Sequence, residues 1–564
     1  MLASMGFLAP TPTPYAPLEW AKKPFGERAR MVCAAWAMQG YGSPVAVYLV
    51  YAIKVAVYVG AWIAFCAISP SLGGPRSIAQ WWLRPVAFEK AIVWSMLFEV
   101  LGLGCGSGPL TGRYSPPLGG FLYFLRPGTT KLPFVPGLPV FGKHTRGLLD
   151  VALYLALVAL CVRVLVAKEP SAEQFVPLVL LVPLLGVADK TIFLAARAEH
   201  FWVTIACFAF ARDWIAGAQA VQIALWFFAG FSKLNHHFPT VACVMTSNGP
   251  FTRVSALRRA MYRDFPRDLR PSSLASATAH AGTALELAVP IAFLLSPLGV
   301  KPVLAIVLML LLHVYITSNV PMGVPIEWNV VVVYAGFALF WAHPDVRPWQ
   351  LWQTAPFALA AFVLFMAYAL PLLGNFFPER VSFLLAMRYY AGNWAYSVWL
   401  FRGESYRKLD ALSKSSAWVH DQLARFYDRA TSVGLVGKVM AFRLMHLHGR
   451  ALPLLVPKAL AAKGGGAFEE YEWVDGEIVA GMVLGWNFGE GHLHQEQLLA
   501  AVQAQCKFDE GELRCVFVES QPMLGKTLAY RIVDAARGEI ERGELEVEEL
   551  RRRQPWEEAP TTPP

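Results

Sequence analysis

The stretch WFFAGFSKLNHHFPTVACVMTSNGP, residues 226–250, decides how the chain is read. It opens as an apolar helix of membrane character and runs into Lys233, Asn235, His236 and His237. On a helix of 3.6 residues per turn, Gln219, Gln222, Trp226, Ala229, Gly230 and Lys233 fall on one stripe of polar and small residues. The opposite face is Ile, Leu and Phe. Polar groups inside a span point into the bundle or a cavity. Small residues let a second backbone or a ligand approach closely. The stripe therefore leads inward and ends at Lys233. The plain alternative is a lysine snorkelling at the membrane boundary, with amides that only bond neighbouring helices.

Composition agrees with a membrane setting. The chain has 564 residues, 56% hydrophobic and 16% charged, with a mean hydropathy of +0.42. Soluble domains carry about a quarter charged residues. Apolar runs fill residues 44–375, and ordinary composition follows. A spanning helix needs about 20 mostly apolar residues. Candidate spans fall near 44–68, 86–105, 148–166, 175–196, 213–233, 280–298, 302–318, 327–343 and 355–374. The expected fold is an all-α polytopic membrane helix bundle of about eight or nine spans with a small soluble α/β C-terminal domain. The count is least secure at 175–211, where Asp189, Lys190, Arg197, Glu199 and His200 interrupt the run.

Four regions follow. Residues 1–43 mix Lys22, Lys23, Arg28 and Arg30 with Trp20 and Trp36, the pattern of an interfacial helix. Residues 44–375 form the bundle, and 376–465 read as a helical connecting region. Residues 466–564 read as a small α/β domain: a hairpin in EYEWVDGEIVAGMVLGWNF, a helix, a strand, another helix and a last strand near ELEVEEL. The Pro/Gly-rich segment 106–147 reads as a folded cap on one membrane face. Topology is in conflict at this level. Nine spans with an inside N-terminus would put the tail outside. They would also put outside the 234–279 loop, which bears Arg253, Arg258, Arg259, Arg263, Arg267 and Arg270. That violates the positive-inside rule. Either the count is off by one or the basic loop packs into the protein.

The net charge of +9 brings no basic stripe interleaved with aromatics, so nucleic acid is not an expected partner. Membrane lipids and a lipophilic small molecule are. The eight cysteines form no CxxC pair and read as small hydrophobes. No cleaved signal is expected at the N-terminus. GLGCGSG at 102–108 follows a span rather than a strand, and LGKTL at 524–528 lacks a Walker glycine because Ser520 stands there. Adjacent His236 and His237 diverge on a helix, and the pairs His446/His448 and His492/His494 lack a third ligand, so no metal site is expected. Nothing specifies a cofactor. Other polar residues stand inside apolar segments: Glu99, Glu286 beside Thr283 and Pro290, His313, and a polar turn with Asn319, Glu327 and Asn329. A charged residue costs about 2.5–3.5 kcal/mol at a span's centre. These residues either pair between helices or line a cavity together.

WFFAGFSKLN resembles a motif of the vitamin K-dependent gamma-carboxylase superfamily, which includes bacterial proteins with a horizontally transferred transmembrane domain. Glu286 and Pro290 match that superfamily's Glu-x-x-x-Pro, and His313 loosely matches its His-bearing span. The likeness covers about residues 150–345. It implies Lys233 as a base acting on a quinone-like cofactor. Asn235, His236, His237 and Phe238 depart from the acidic residue and tryptophan that follow the lysine there. The whole chain, with RYYAGNW at 388–394, is more similar to an uncharacterised family of bacterial multi-pass membrane proteins. That likeness implies a bacterial inner membrane and supplies no activity. Two functions stay open. One is a membrane-embedded enzyme on a lipid-soluble substrate, a quinone or lipid, with Lys233 as base. In it Asn235, His236 and His237 position groups or shuttle protons. Gln219, Gln222, Trp226, Gly230, Glu286, His313, Glu327 and Asn329 line the cavity. The other is a non-catalytic transporter or lipid-binding scaffold.

Overall fold

The computed structural model describes residues 6–104, 121–319, 326–381, 392–393, 395–486 and 490–558. An N-terminal turn α1 (Pro17–Trp20) and helix α2 (Phe25–Gln39) lead into the bundle. Its helices are α3 (Val45–Cys66), α4 (Pro85–Val100), α5 (Leu148–Val166), α6 (Ala172–Ala188), α7 (Ala198–Phe210) and α8 (Ile215–Phe231). After α9 (Phe238–Asn248) come α10 (Ser273–Leu295), α11 (Val303–Thr317), α12 (Ile326–Ala335) and α13 (Phe357–Phe376). A π-helical turn, Gly336–Trp341, extends α12.

Among the described residues, five helices are long and apolar enough to cross a membrane, and four shorter apolar helices accompany them. The expected eight or nine long spans are thus not what length and composition give. The interrupted segment 175–211 divides into α6 and α7. Asp189 starts a turn between them by accepting from Thr191 N at 2.9 Å, and Arg197, at φ 47°, precedes α7. Apolar side chains of α3 and α11 face outward, with Ile53, Val57, Leu304, Leu311 and Val314 all more than half exposed. A patch of that kind is the surface a membrane covers. α4 and α7 are instead buried on nearly every side, as helices at the centre of a bundle are.

Side-chain and backbone contacts gather at the two ends of the bundle. At one end Lys90 Nζ donates to the carbonyls of Phe65 and Ala167 at 2.8 and 2.9 Å, and Gly299 N donates to Pro344 O at 3.1 Å. At the other end, the N-terminal segment, the 234–279 region and the tail pack on one another. Tyr41 N donates to Asn248 Oδ1 at 3.1 Å, Leu269 N to Gln554 Oε1 at 3.0 Å, and Tyr427 Oη to Leu8 O at 3.0 Å. These three regions gather at one end of the bundle.

In the N-terminal segment, read from sequence as an interfacial helix, one face is covered by protein. α2 packs against α9 and against α14 (Arg429–Met445), and Ala29, Val32 and Trp36 are fully buried. Its tryptophans and basic residues serve protein contacts: Trp36 donates to Val244 O at 3.2 Å and Arg28 to Lys23 O at 2.6 Å.

The tail is built on an antiparallel sheet of order β4-β3-β5-β6-β7. The strands are β3 (Tyr396–Arg402), β4 (Tyr471–Asp475), β5 (Leu513–Val518), β6 (Thr527–Asp534) and β7 (Gly538–Glu546). A separate hairpin, β1 (Tyr262–Asp264) with β2 (Asp268–Pro271), precedes α10. β3 comes from the region read as helical connection, so the sheet crosses the boundary drawn at 465/466. Six of its seven residues are buried, so the strand lacks the alternation that would reveal it. The stretch read as a hairpin is β4 followed by α15 (Gly476–Leu484). Asp475 ends the strand and caps that helix, accepting from Glu477 N at 2.9 Å while held by Arg443. The stretch read as a second helix is β6, paired with strands on both sides.

Candidate functional site

α8 brings its polar stripe down to a 3-10 turn, Ser232–Leu234, at the face that carries the tail. Ser232 Oγ donates back to Ala229 O at 3.0 Å and steadies the turn. Lys233 then reaches across to α10 and donates to the Glu286 carboxylate. The ammonium nitrogen of this lysine lies over the Phe238 ring, 5.3 Å from its centroid. Glu286 and Pro290 stand one turn apart, and the proline's missing N–H leaves the Glu286 carbonyl without its in-helix donor.

A cavity of about 170 Å³ opens beside this pair, between α8, α9, α10, α11 and α12. Trp226, Lys233, Glu286, His313 and Asn329 all line it. Most of the remaining wall is apolar: Leu225, Val241, Ala242, Met245, Ile316 and Val332. Lys233 is 12% exposed and Glu286 5%, so the pair is desolvated except toward the cavity.

His313 sits in a fixed protonation state. Trp226 Nε1, which can only donate, gives its proton to His313 Nε2 at 3.1 Å. Nδ1 therefore carries the hydrogen and donates to Asn329 Oδ1, while Asn329 Nδ2 donates to His313 O at 3.2 Å and to Thr317. The imidazole is neutral, and protonating Nε2 would expel the tryptophan. Trp226 is itself held by stacking on Phe293 at 5.3 Å.

The other expected site residues lie elsewhere. Gln219 donates to Leu339 O at 2.8 Å and ties α8 to the π turn. Gln222 is buried on the same helix, outside the cavity lining. Gly230 is where α10 comes closest, since a Cβ there would strike Leu287. Glu327 belongs to a second charged cluster with Lys54, Glu99 and Arg197. Asn235 turns away to the tail, accepting from Leu524 N at 2.7 Å and donating to Gln521 O at 3.3 Å. His236 is exposed, with Arg551 and Glu548 of the tail near it. His237 is fully buried and its ring stacks on His448 at 6.0 Å. Lys233 and the residues after it thus part company: the lysine serves the cavity, and 235–237 serve the junction with the tail.

Sequence reading missed α9, which supplies Phe238, Val241, Ala242 and Met245 to the cavity. Its signals were present: Pro239 in the first turn and apolar spacing i, i+3, i+4, i+7. Among the described residues, no group of three His, Cys, Asp or Glu side chains could hold a metal ion. The side chains of His492 and His494, residues 388–391 and 394 of RYYAGNW, and the 105–120 part of the supposed cap lie outside the described residues.

Residues 5–564 match the model of a family described as transmembrane protein of unknown function, DUF3556. No curated protein and no solved structure matches the chain. The likeness to carboxylases therefore gains no support from these comparisons.

Proposed function

Because the chain belongs to the DUF3556 family of transmembrane proteins of unknown function, we propose an activity from the site alone: the cavity receives the head of a lipid-soluble molecule, quinone- or lipid-like, and exchanges a proton with it. The observation that carries this reading is the Lys233–Glu286 pair at the wall of an otherwise apolar cavity. Intramembrane ion pairs that face a cavity mark substrate or proton paths. At about 170 Å³ the cavity is smaller than the roughly 300 Å³ of a drug-sized ligand's pocket. It suits a single ring or headgroup, with the chain left in lipid past Tyr315, which is 44% exposed.

The pairing revises the lysine's role. Read as an ammonium paired with the Glu286 carboxylate, Lys233 leaves the carboxylate as the base and itself stabilises an oxyanion. The neutral His313, fixed by Trp226 and Asn329, positions rather than shuttles. A non-catalytic carrier is the second reading, favoured by the same closed pair, which also suits a latch between α8 and α10. The arginines of the 234–279 region share a face with the tail, so we place that face in the cytoplasm.

Mass spectrometry of lipophilic molecules retained by purified wild type, Lys233→Met and Glu286→Gln tests this. In D2O, a retained species that gains deuterium only with wild type supports proton exchange. The same unaltered species on all three proteins overturns it and leaves the carrier.

A further inference from the structure

A second cavity, of about 400 Å³, lies outside the bundle, between the N-terminal segment and the tail. Its walls come from residues 18–22, Arg28, His420, α14, Phe468 and the start of β4, and none of the five long apolar helices contributes. It has the size of a small-molecule site and the chemistry of one. Trp20, Phe468, Tyr471 and Trp473 give it aromatic walls. Arg28 lies over the rings of Phe468 and Trp20, at 4.7 and 5.8 Å, and its Nε donates to Lys23 O. The guanidinium is therefore aimed before any ligand arrives, which lowers the entropic cost of using it. Its Nη1 and Nη2 meet no acceptor among the described residues. Burial lowers its pKa, with Glu469 and Glu472 opposing from a distance.

Two further observations point to a missing acceptor. Trp473 is 6% exposed, and its indole N–H is buried with no hydrogen-bond partner. Such a donor is costly unless something accepts from it. The carboxylates of the cavity are already engaged: Glu19 by Lys22 at 2.9 Å and Glu472 by His420 at 2.7 Å. Arg429, exposed at the start of α14, adds a second cation to the lining. Donors and positive charge are in excess, and flat rings stand beside them.

We propose that this cavity binds a soluble small molecule carrying a phosphate or carboxylate on a planar ring. The anion sits in the Arg28 fork with Arg429 at the mouth, and the ring packs along the aromatic wall. Bound there, the molecule touches the N-terminal segment, α14 and β4 at once and fastens the first residues of the chain to the tail.

Isothermal titration of the full-length protein in detergent tests this with adenosine monophosphate, benzoate and inorganic phosphate as probes. Saturable one-to-one binding of the nucleotide or of benzoate is expected, tighter than that of inorganic phosphate. Arg429→Gln and Trp473→Phe should each weaken it about tenfold, the loss of one hydrogen bond to a charged group. Arg429 is exposed and Trp473→Phe keeps the ring, so unchanged thermal unfolding will separate lost binding from lost folding. Arg28→Lys keeps the charge, loses the fork and should weaken binding further. Absence of saturable binding by all three probes overturns the proposal. So does affinity unchanged in both Arg429→Gln and Trp473→Phe, or binding of dioctanoyl phosphatidate tighter than that of the nucleotide, which would make the site one for lipid headgroups.

Discussion

Two places in the bundle bury opposite charges, and they differ in the space around them. Lys54, Glu99, Arg197 and Glu327 are each no more than 5% exposed. Arg197 Nε donates to Glu99 at 3.0 Å, Lys54 Nζ lies 3.7 Å from Glu327, and Lys54 also donates to Gly104 O at 2.5 Å. A side chain on Gly104 would collide with Glu99 and Glu327, so the backbone packs tightly on both carboxylates there. Lys233 and Glu286 instead make a single pair with a cavity at its side. Both places look alike in sequence, as charges inside apolar helices. Room for a ligand tells them apart. Trp328 joins the two, carrying Arg197 on its ring at 4.9 Å and lining the Lys233 cavity.

If the tightly packed cluster is a fastening, breaking it should cost stability and nothing else. Arg197→Met leaves Glu99 buried without its guanidinium, a loss of about 3–5 kcal/mol. Denaturant unfolding in detergent should show it, while the lipophilic molecules bound per folded protein stay as in wild type. An undiminished midpoint would remove the distinction between the two places.

Lys233→Met should cost less, about 2–3 kcal/mol, because Lys233 is partly exposed to the cavity. Adding Glu286→Leu removes the stranded carboxylate and should return most of that stability. Ligand retention should stay lost in the double variant. Recovery of both would reduce Lys233 to the same structural role as Arg197.

The smallest effect should come from outside both places and sharpen the comparison by supplying a background. Burial pushes the rings of His446 and His448 below the ordinary histidine value of about 6.5, to about 4 and about 3. The unfolded chain therefore takes up protons that the folded one refuses as pH falls from about 6.5. Stability should drop across that window by up to about 1.4 kcal/mol per pH unit for each ring. Unfolding at pH 7.5, 6.5 and 6 will measure the slope, and His448→Phe should flatten it.

Sequence reading found the charges of the site because each is costly where it stands. Lys233, Glu286, His313 and Asn329 declare themselves in apolar surroundings. Their partners were not legible, since Lys233 meets a residue 53 positions away and Trp226 one 87 positions away. Nothing local encodes such distances. β3 was hidden because burial on both faces erases alternation. α2 misled for a related reason: tryptophan beside arginine suits a lipid interface and a protein interface equally. Gln219 shared the stripe of Lys233 but met the backbone at Leu339, which a helical wheel does not contain.

The meeting of α2 with α14 also sets an order of events in the making of the chain. Several hundred residues separate the two helices, and at about 5–20 residues per second the first waits tens of seconds for the second. All the bundle helices must be threaded in that interval. Until α9 emerges the newborn α2 has neither α9 nor α14 to cover Val32 and Trp36, and until the end of the interval it still lacks α14. Its flanking Lys22 and Lys23 and its tryptophans suit it to rest on lipid headgroups until then. The body built from α2, α14 and the five-stranded sheet closes only once the ribosome has passed the last strand.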